Sequence, residues 1–351
     1  MHLYDLYVLG AGFSRSFVPT APLIEGFLRG SEDVIRRPEF RAAKEFMERC
    51  RFCPSSANIE TLMTLADAKD SNASEQLKRL VVKVLEKSLP MVELPRNHET
   101  WYKFQVQHEE TLRRFARYLL APSAQAHVLT WNYDAILENA LEIEQMGFTA
   151  ASSHRRFHSG RCHGFHACTW RKRGGIRWQT ETEREDHVLV LKLHGSMLWR
   201  VPASSSDRKS PGKVVTLSAH ETNIERYSKA KDTIDNDMDV HPLIVPPVLD
   251  KRKPLQHPAL VEMWKKAESL IGSAARIIFV GYSFPPTDYH AEYLFRANHR
   301  QHCIVEIINL CDDGWNRSKL MARYHGIFPD CNLTAPHWGD AATELEKLLP
   351  S

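Results

Sequence analysis

Leu3-Tyr4-Asp5-Leu6-Tyr7-Val8-Leu9 runs directly into Gly10-Ala11-Gly12-Phe13-Ser14. A short, mostly apolar run that ends on two closely spaced glycines reads as a buried strand opening into a tight turn. Further along, Val128-Leu129-Thr130 leads to Trp131-Asn132-Tyr133-Asp134, and Val188 to Leu193 leads to His194-Gly195. Leu243-Ile244-Val245 ends at Pro246-Pro247, Arg276 to Val280 ends at Gly281-Tyr282-Ser283, and Ile304 to Ile308 ends at Asn309. Between these runs the spacing predicts helices over Pro38–Cys50, Ile59–Ala68 with Asn58 as cap, Ser74 or Glu75 to Leu89, Glu109–Leu120, Ala135–Glu144 and Leu260–Ala275, and one from near Thr287. Strands alternating with helices define the expected fold class: α/β, a Rossmann-like open parallel sheet with helices on both faces and a helical insertion.

Position matters more than composition here. Gly10–Ser14, Asn132–Asp134, His194–Gly195, Gly281–Ser283 and Asn309 each follow a strand, and open α/β sheets bind ligands beyond the carboxyl ends of their strands. One composite site on one sheet edge is the expectation. The chain is read as a single domain over 1–351, with a helical insertion at 30–125 and a basic, irregular insertion at 145–187.

The 351 residues are 43% hydrophobic and 25% charged, as in an ordinary globular protein. A net charge of +3 excludes a general nucleic-acid or membrane field, so any such role needs a local patch. The 18 histidines include no H-E-x-x-H helix. Seven irregularly spaced cysteines, no basic-then-apolar leader after Met1 and no apolar run long enough to span a bilayer make a reducing cytoplasm and no membrane the default.

Glycines after a strand let a backbone approach a phosphate closely. Arg15 stands where the dehydrogenase fingerprint has its third glycine, so a nicotinamide-dependent oxidoreductase fits poorly. Ser14 and Arg15 offer a hydroxyl and a guanidinium to a pyrophosphate, against the plainer reading of Arg15 as exposed.

Taken together, Gly10-Ala11-Gly12-Phe13-Ser14, Asn58-Ile59-Glu60, Thr130-Trp131-Asn132-Tyr133-Asp134, Lys192-Leu193-His194-Gly195-Ser196, Pro246-Pro247, Gly281-Tyr282-Ser283-Phe284-Pro285 and Asn309 resemble the sirtuin-like NAD-binding family. The resemblance is to its bacterial branch linked to antiviral defence, and it spans residues 10 to 309. It implies NAD as substrate and cleavage of the nicotinamide–ribose bond. Asn132, His194 and Asp134 are then the catalytic set. Gly10, Ala11, Gly12, Ser14, Arg15, Gly195, Gly281, Ser283 and Asn309 hold the dinucleotide. The chemistry is consistent with those types. Nicotinamide leaves from an already cationic ring and needs no general acid, so the paired carboxylates of ordinary glycosidases are not required. A histidine with an ordinary pKa of about 6.5 suits proton removal from a ribose hydroxyl or water near neutrality. Asn132 offers both a donor and an acceptor. Asp134 serves equally as a helix cap. Asn58 reads as a cap, Glu60 as a buttress, and Thr287 and Asp288 as a helix start.

The chain departs from the deacylases of that family. No cysteine follows Gly195 until Cys303, so their zinc ribbon of two Cys-x-x-Cys pairs is absent. Ser16-Phe17-Val18-Pro19-Thr20-Ala21-Pro22-Leu23 replaces their Ile-Pro-Asp-Phe-Arg segment. Both changes favour water as acceptor. No metal is expected, although Cys162, His163, His166 and Cys168 are zinc-ligating types at short spacing. His154 to Trp178 holds seven Arg/Lys, no acidic residue and the aromatics Phe157, Phe165, Trp170 and Trp178, which leaves nucleic-acid contact open beside a solvated insertion.

The expected function is therefore NAD glycohydrolase, an antiviral effector that arrests an infected cell by depleting NAD. Such an activity requires gating by homo-oligomerisation or by a separate chain such as a DNA-translocating ATPase. ADP-ribosyl transfer to an acyl-lysine or protein acceptor, and a non-catalytic module that binds NAD or ADP-ribose, are the alternatives.

Overall fold

The computed structural model describes residues 3–24, 26–56, 58–88, 106–121, 123–148, 167–171, 175–178, 187–202, 214–216, 240–247, 251, 254–285, 287–311 and 314–350. Strand β1 (Tyr4–Leu9) leads into α1 (Ala11–Phe17). The helices α2 (Glu32–Ile35), α3 (Arg41–Arg49), α4 (Ile59–Lys69), α5 (Ser71–Ser88) and α6 (Glu109–Leu120) follow. Next come β2 (Ala126–Thr130), α7 (Ile136–Phe148), β3 (Ala167–Arg171), β4 (Gly175–Trp178), β5 (Val190–Lys192), β6 (Gly195–Pro202), β7 (Val214–Thr216) and β8 (Val240–Ile244). The chain continues through α8 (Pro258–Ser273), β9 (Ala274–Val280), α9 (Tyr289–Asn298), β10 (Ile304–Asn309) and α10 (Gly314–Ile327). Strands β11 (Asn332–Leu333) and β12 (His337–Trp338) precede α11 (Ala341–Leu348).

The main sheet runs β11-β10-β9-β1-β2-β5, with β12 beside β10, and every pairing in it is parallel. Alternation along the strands divides the core between two faces. Leu6, Val8, Leu129, Leu191, Ile277, Phe279, Val305 and Ile307 pack with Leu260, Met263, Ile271, Phe295 and Tyr324 of α8 to α10. The intervening Tyr7, Leu9, Val128, Val190, Ile278, Val280 and Ile308 pack with Phe13, Phe115, Leu119, Leu141 and Leu345 of α1, α6, α7 and α11. Helices thus cover both faces of a parallel sheet, the expected α/β architecture.

Several details differ from the sequence reading. Segment 145–187 was expected to be irregular, yet β3 and β4 lie within it and pair antiparallel. They belong to a second sheet, β4-β3-β7-β6-β8, and the run at Leu243-Ile244, read from sequence as a strand of the parallel sheet, instead lies in its β8 and pairs antiparallel with β6. Most of that insertion, including Cys162, His163, His166 and the basic residues Arg155 and Arg156, lies outside the described residues. Within 30–125, α3, α4 and α5 build their own core from Ala43, Phe46, Leu62, Met63, Leu77, Val81 and Val84. Helix α6 does not join it. Its Leu112, Phe115 and Leu119 face the main sheet, so the separate helical layer ends before residue 109.

Candidate active site

Strands β1 and β9 are neighbours, but β1 continues toward β2 on one side and β9 toward β10 on the other. That divergence opens a crevice at their carboxyl ends, where such sheets take ligands. Glycine is required there by space. A Cβ on Gly10 would stand 2.4 Å from the carbonyl oxygen of Gly281, and one on Gly281 would stand 2.3 Å from the nitrogen of Phe13. Gly281 also has φ +64, which disfavours side chains. The turn N–H groups are largely engaged within the fold. Gly10 donates to Val280 O at 3.0 Å, Gly12 to Gly281 O at 3.0 Å, and Phe13 to Gly10 O at 3.0 Å. The glycines therefore bring backbone close to a ligand rather than supplying three free donors.

Asn132 follows β2 and has its orientation fixed by the same turn. Its Nδ2 donates to Gly10 O at 2.8 Å and to Ser14 Oγ at 2.9 Å. Because Gly10 O can only accept, the amide nitrogen must point there, leaving Oδ1 as the group Asn132 has to offer a ligand. Ser14 Oγ in turn donates a hydrogen bond to Asp134 Oδ2 at 2.6 Å. Asp134 Oδ1 accepts from the backbone of Ile136 at 3.1 Å, as a cap of α7 does. Burial raises the Asp134 carboxyl, opposed by the Lys192 ammonium, which donates to Asp134 O and pairs with Glu138 at 2.8 Å.

His194 stands at the end of β5, buried against Trp131 and Tyr133. Its Nε2 has no hydrogen-bond partner among the described residues and lies 3.7 Å from Asp288 Oδ1. Burial pulls the imidazole down to about 3, against the nearby Asp288 carboxylate and with Lys251 and His290 adding to the fall. The ring is neutral at physiological pH, and the ordinary value near 6.5 expected from sequence does not apply. Burial works to raise Asp288, but the His194 ring where it carries a proton, the Lys251 ammonium and the Tyr282 hydroxyl outweigh it and hold the carboxyl below its usual range. Lys251 Nζ lies 3.1 Å from Asp288 Oδ1 and 3.8 Å from Glu60 Oε1, all three side chains buried. Tyr282 Oη donates to Asp288 Oδ2 at 2.9 Å, and its ring stacks on Trp131 at 4.8 Å.

These groups surround a cavity of about 480 Å³, within the range of small-molecule sites. Gly10, Ala11, Gly12, Arg15, Asn132, His194, Gly281, Ser283 and Asn309 line it. Arg15 Nη1 is also tied to Ala21 O at 2.9 Å, and Asn309 Nδ2 to Tyr282 O at 3.1 Å. Ser14, Asp134 and Gly195 do not line the cavity. Ser14 and Asp134 stand behind Asn132 as its support. Gly195 has φ +83, and a Cβ there would stand 2.2 Å from Leu243 O, so its place against β8 is structural.

Sequence reasoning undervalued Glu60 and Asp288, both of which line the cavity, and overlooked Lys251 between them. A signal for Asp288 existed in its position eight residues past the end of β9, but it also resembled a helix start. Among the described residues no group of three or more His, Cys, Asp and Glu could hold a metal ion. No helix among them is long and apolar enough to cross a membrane.

No protein-family model matches the chain, and no curated protein matches it. Among solved structures it is similar to Sir2 enzymes. One, from work on the mechanism and regulation of Sir2 enzymes, has 12% identity and a TM-score of 0.43, with 99% of this chain and 91% of that chain covered. Sir2 bound to an acetylated peptide has 12% identity and a TM-score of 0.43 over 98% and 91% of the two chains. A structure concerning sirtuin substrate affinity has 13% identity and a TM-score of 0.42 over 99% and 93%.

Proposed function

We propose that the chain is an NAD glycohydrolase that converts NAD and water to nicotinamide and ADP-ribose. The observation that carries this is the convergence, in one crevice at the sheet's switch point, of the Asn132 Oδ1 acceptor and the neutral His194 imidazole beside the Gly10–Gly12 turn. In the reaction the bond from the ribose C1′ to the ring nitrogen breaks and its electron pair stays with nicotinamide. A water oxygen bonds to C1′ and gives up a proton. Asn132 Oδ1 is suited to orient that water or a ribose hydroxyl and His194 to accept the proton; an imidazole lowered to about 3 is a weak base, so the Asp288 carboxylate 3.7 Å from Nε2 has to stabilise the imidazolium as it forms. Gly10, Ala11, Gly12 and Arg15 lie where a pyrophosphate would be held, and Ser283 and Asn309 where the adenosine half would extend. Asp134, Ser14 and Gly195 act on this site through the residues they fix.

The absence of cysteine between Gly195 and Cys303 and the resemblance to the defence branch favour water over an acyl-lysine as acceptor. Under this reading the chain is a sirtuin-like antiviral effector acting in the cytoplasm. It works as a homo-oligomer or with a separate activating chain, because unregulated loss of NAD would harm its own cell. The experiment is incubation of pure protein with NAD, alone and with acyl-lysine peptide, followed by separation of products. Nicotinamide and ADP-ribose in equal amounts without peptide are expected. Peptide-dependent nicotinamide release would replace hydrolysis with group transfer, and tight NAD binding without turnover would make the chain a binding module.

A further inference from the structure

We infer that Glu60 is a further catalytic residue, whose free carboxylate oxygen stabilises positive charge on the substrate's ribose as the bond to the leaving base opens. The inference rests on the hydrolase reading above and adds a group to it. Glu60 sits in the first turn of α4, fixed by Asn58, whose Oδ1 accepts from Thr61 N at 3.1 Å. The residue is 4% exposed and lines the cavity. Its Oε1 faces Lys251 at 3.8 Å, while its Oε2 has no hydrogen-bond partner among the described residues. A buried carboxylate oxygen left without a donor destabilises a fold unless something else meets it. His194 Nε2 is in the same condition in the same crevice. Two buried, unsatisfied polar atoms on residues that line one cavity mark the place where a ligand supplies the missing contacts.

Charge decides what that ligand carries. Glu60 and Asp288 set two carboxylates against the single Lys251 ammonium, and Asp288 is further engaged by Tyr282 Oη. The remaining negative charge is concentrated on Glu60. It would repel a phosphate, so this end of the crevice suits the cationic ring and the ribose next to it. As the C1′–nitrogen bond breaks, the pair leaves with the base and positive charge moves onto C1′ and the ring oxygen. A preorganised carboxylate in a site shielded from water stabilises that state more than the ground state. Glu60 takes no proton in this step. The proton of the incoming water goes to His194.

The test compares the parent with Glu60→Gln and Glu60→Asp in two assays. One follows nicotinamide release from NAD. The other measures, by calorimetry, the affinity for a 5′-phosphorylated iminoribitol, whose ring is cationic, against ribose 5-phosphate, whose ring is neutral. The parent is expected to favour the cationic ring by about tenfold or more, and E60Q to lose that preference. In E60Q, kcat falls on the order of 100-fold while KM stays within about threefold, as for loss of one preorganised electrostatic group. E60D restores part of both. Equal affinity of the parent for the two rings overturns the inference, as does an E60Q that releases nicotinamide at the parent rate. So does an E60Q that loses ribose 5-phosphate binding in step with turnover, which would mark a structural role. A parent that keeps the E60-dependent preference but releases no nicotinamide overturns the hydrolase reading and upholds Glu60 as the group facing a ribosyl cation. Should E60Q fail to fold, E60A, which leaves the Lys251–Asp288 pair in place, supports the same two measurements.

Discussion

His194 and Asn132 have the same neighbourhood but opposite electrical circumstances. Asn132 is held by hydrogen bonds to Gly10 and Ser14, whereas His194 is held by burial against aromatic rings. Burial keeps the imidazole neutral, so the base form is already present throughout the physiological range. A base whose pKa is lowered to about 3 loses activity only as pH falls toward that value, not through 6.5. The kcat/KM profile, which reports the free enzyme, is therefore expected to show no His194 inflection between about pH 5.5 and 8; an acidic limb centred near 6.5 would contradict the burial argument. The same displacement has a sign for stability. Below about pH 6.5 the unfolded chain binds a proton that the folded one refuses, so folding weakens on acidification. His194→Ala and Asn132→Ala are each expected to lower kcat by about 100- to 10,000-fold, with ADP-ribose affinity less affected. Parent-like turnover in both variants would remove them from the chemistry. These two residues were legible because each lies in the turn two residues past a strand. Glu60 was not, since an acidic residue in a helix's first turn is common for its favourable interaction with the helix dipole. Lys251 sits in a stretch without pattern and gave no signal at all.

The five longer strands of the main sheet and most of the longer helices were legible from period, and their ends agree within a few residues; the 14-residue α10, α11 and the two-residue strands β11 and β12 were not read. Asn58 capping α4 and the helix over Glu109–Leu120 are cases where local chemistry alone was enough. Helix α1 was hidden because Gly-Ala-Gly-Phe-Ser has turn chemistry, and only its packing of Phe13 and Phe17 into the core makes it helical. Most of the second sheet was hidden because β3, β4 and β7, of three to five residues, carry too few positions to display alternation, and the eight-residue β6 begins at the His194-Gly195 turn that was read as a strand end. The junction of β1 and β9 gives a prediction of its own. At Gly281 a side chain meets both a positive φ of 64° and backbone at 2.3 Å, whereas Gly30 has φ +72 but nothing within 4 Å of an added Cβ. Gly281→Ala should therefore destabilise the protein by several kcal/mol and Gly30→Ala by about 1 kcal/mol. Urea unfolding of the two variants checks the order; equal midpoints would mean that the turns of β1 and β9 can separate without cost.

Three cores make up the described molecule, one on each face of the main sheet and a third within the helical layer of α2 to α5. That third core reaches the rest through Met197 of β6, with Tyr133 and Ile244 packed against it. Tyr133 Oη also donates to Val245 O at 2.5 Å, beside the crevice. Glu60 is carried by this layer, while Asp288 stands at the start of α9 and His194 just past β5, and Lys251 lies between the two carboxylates. The crevice thus lies at a junction between separately packed parts, a common place for a ligand site. A ligand that contacts Glu60 on one side and the Gly10–Gly12 turn on the other would link them, and would lower the chance that the helical layer opens locally. Hydrogen exchange with and without saturating ADP-ribose tests this. Protection is expected to rise in α4, residues 59–69, and around the turns at 10–12 and 281–283. Helix α6, residues 109–120, packs on the sheet through Leu112, Phe115 and Leu119, contributes no residue to the cavity lining and should change little. Protection confined to the glycine turns, with α4 exchanging as before, would show that the ligand does not bridge the two parts and that the helical layer is a passive wall of the crevice.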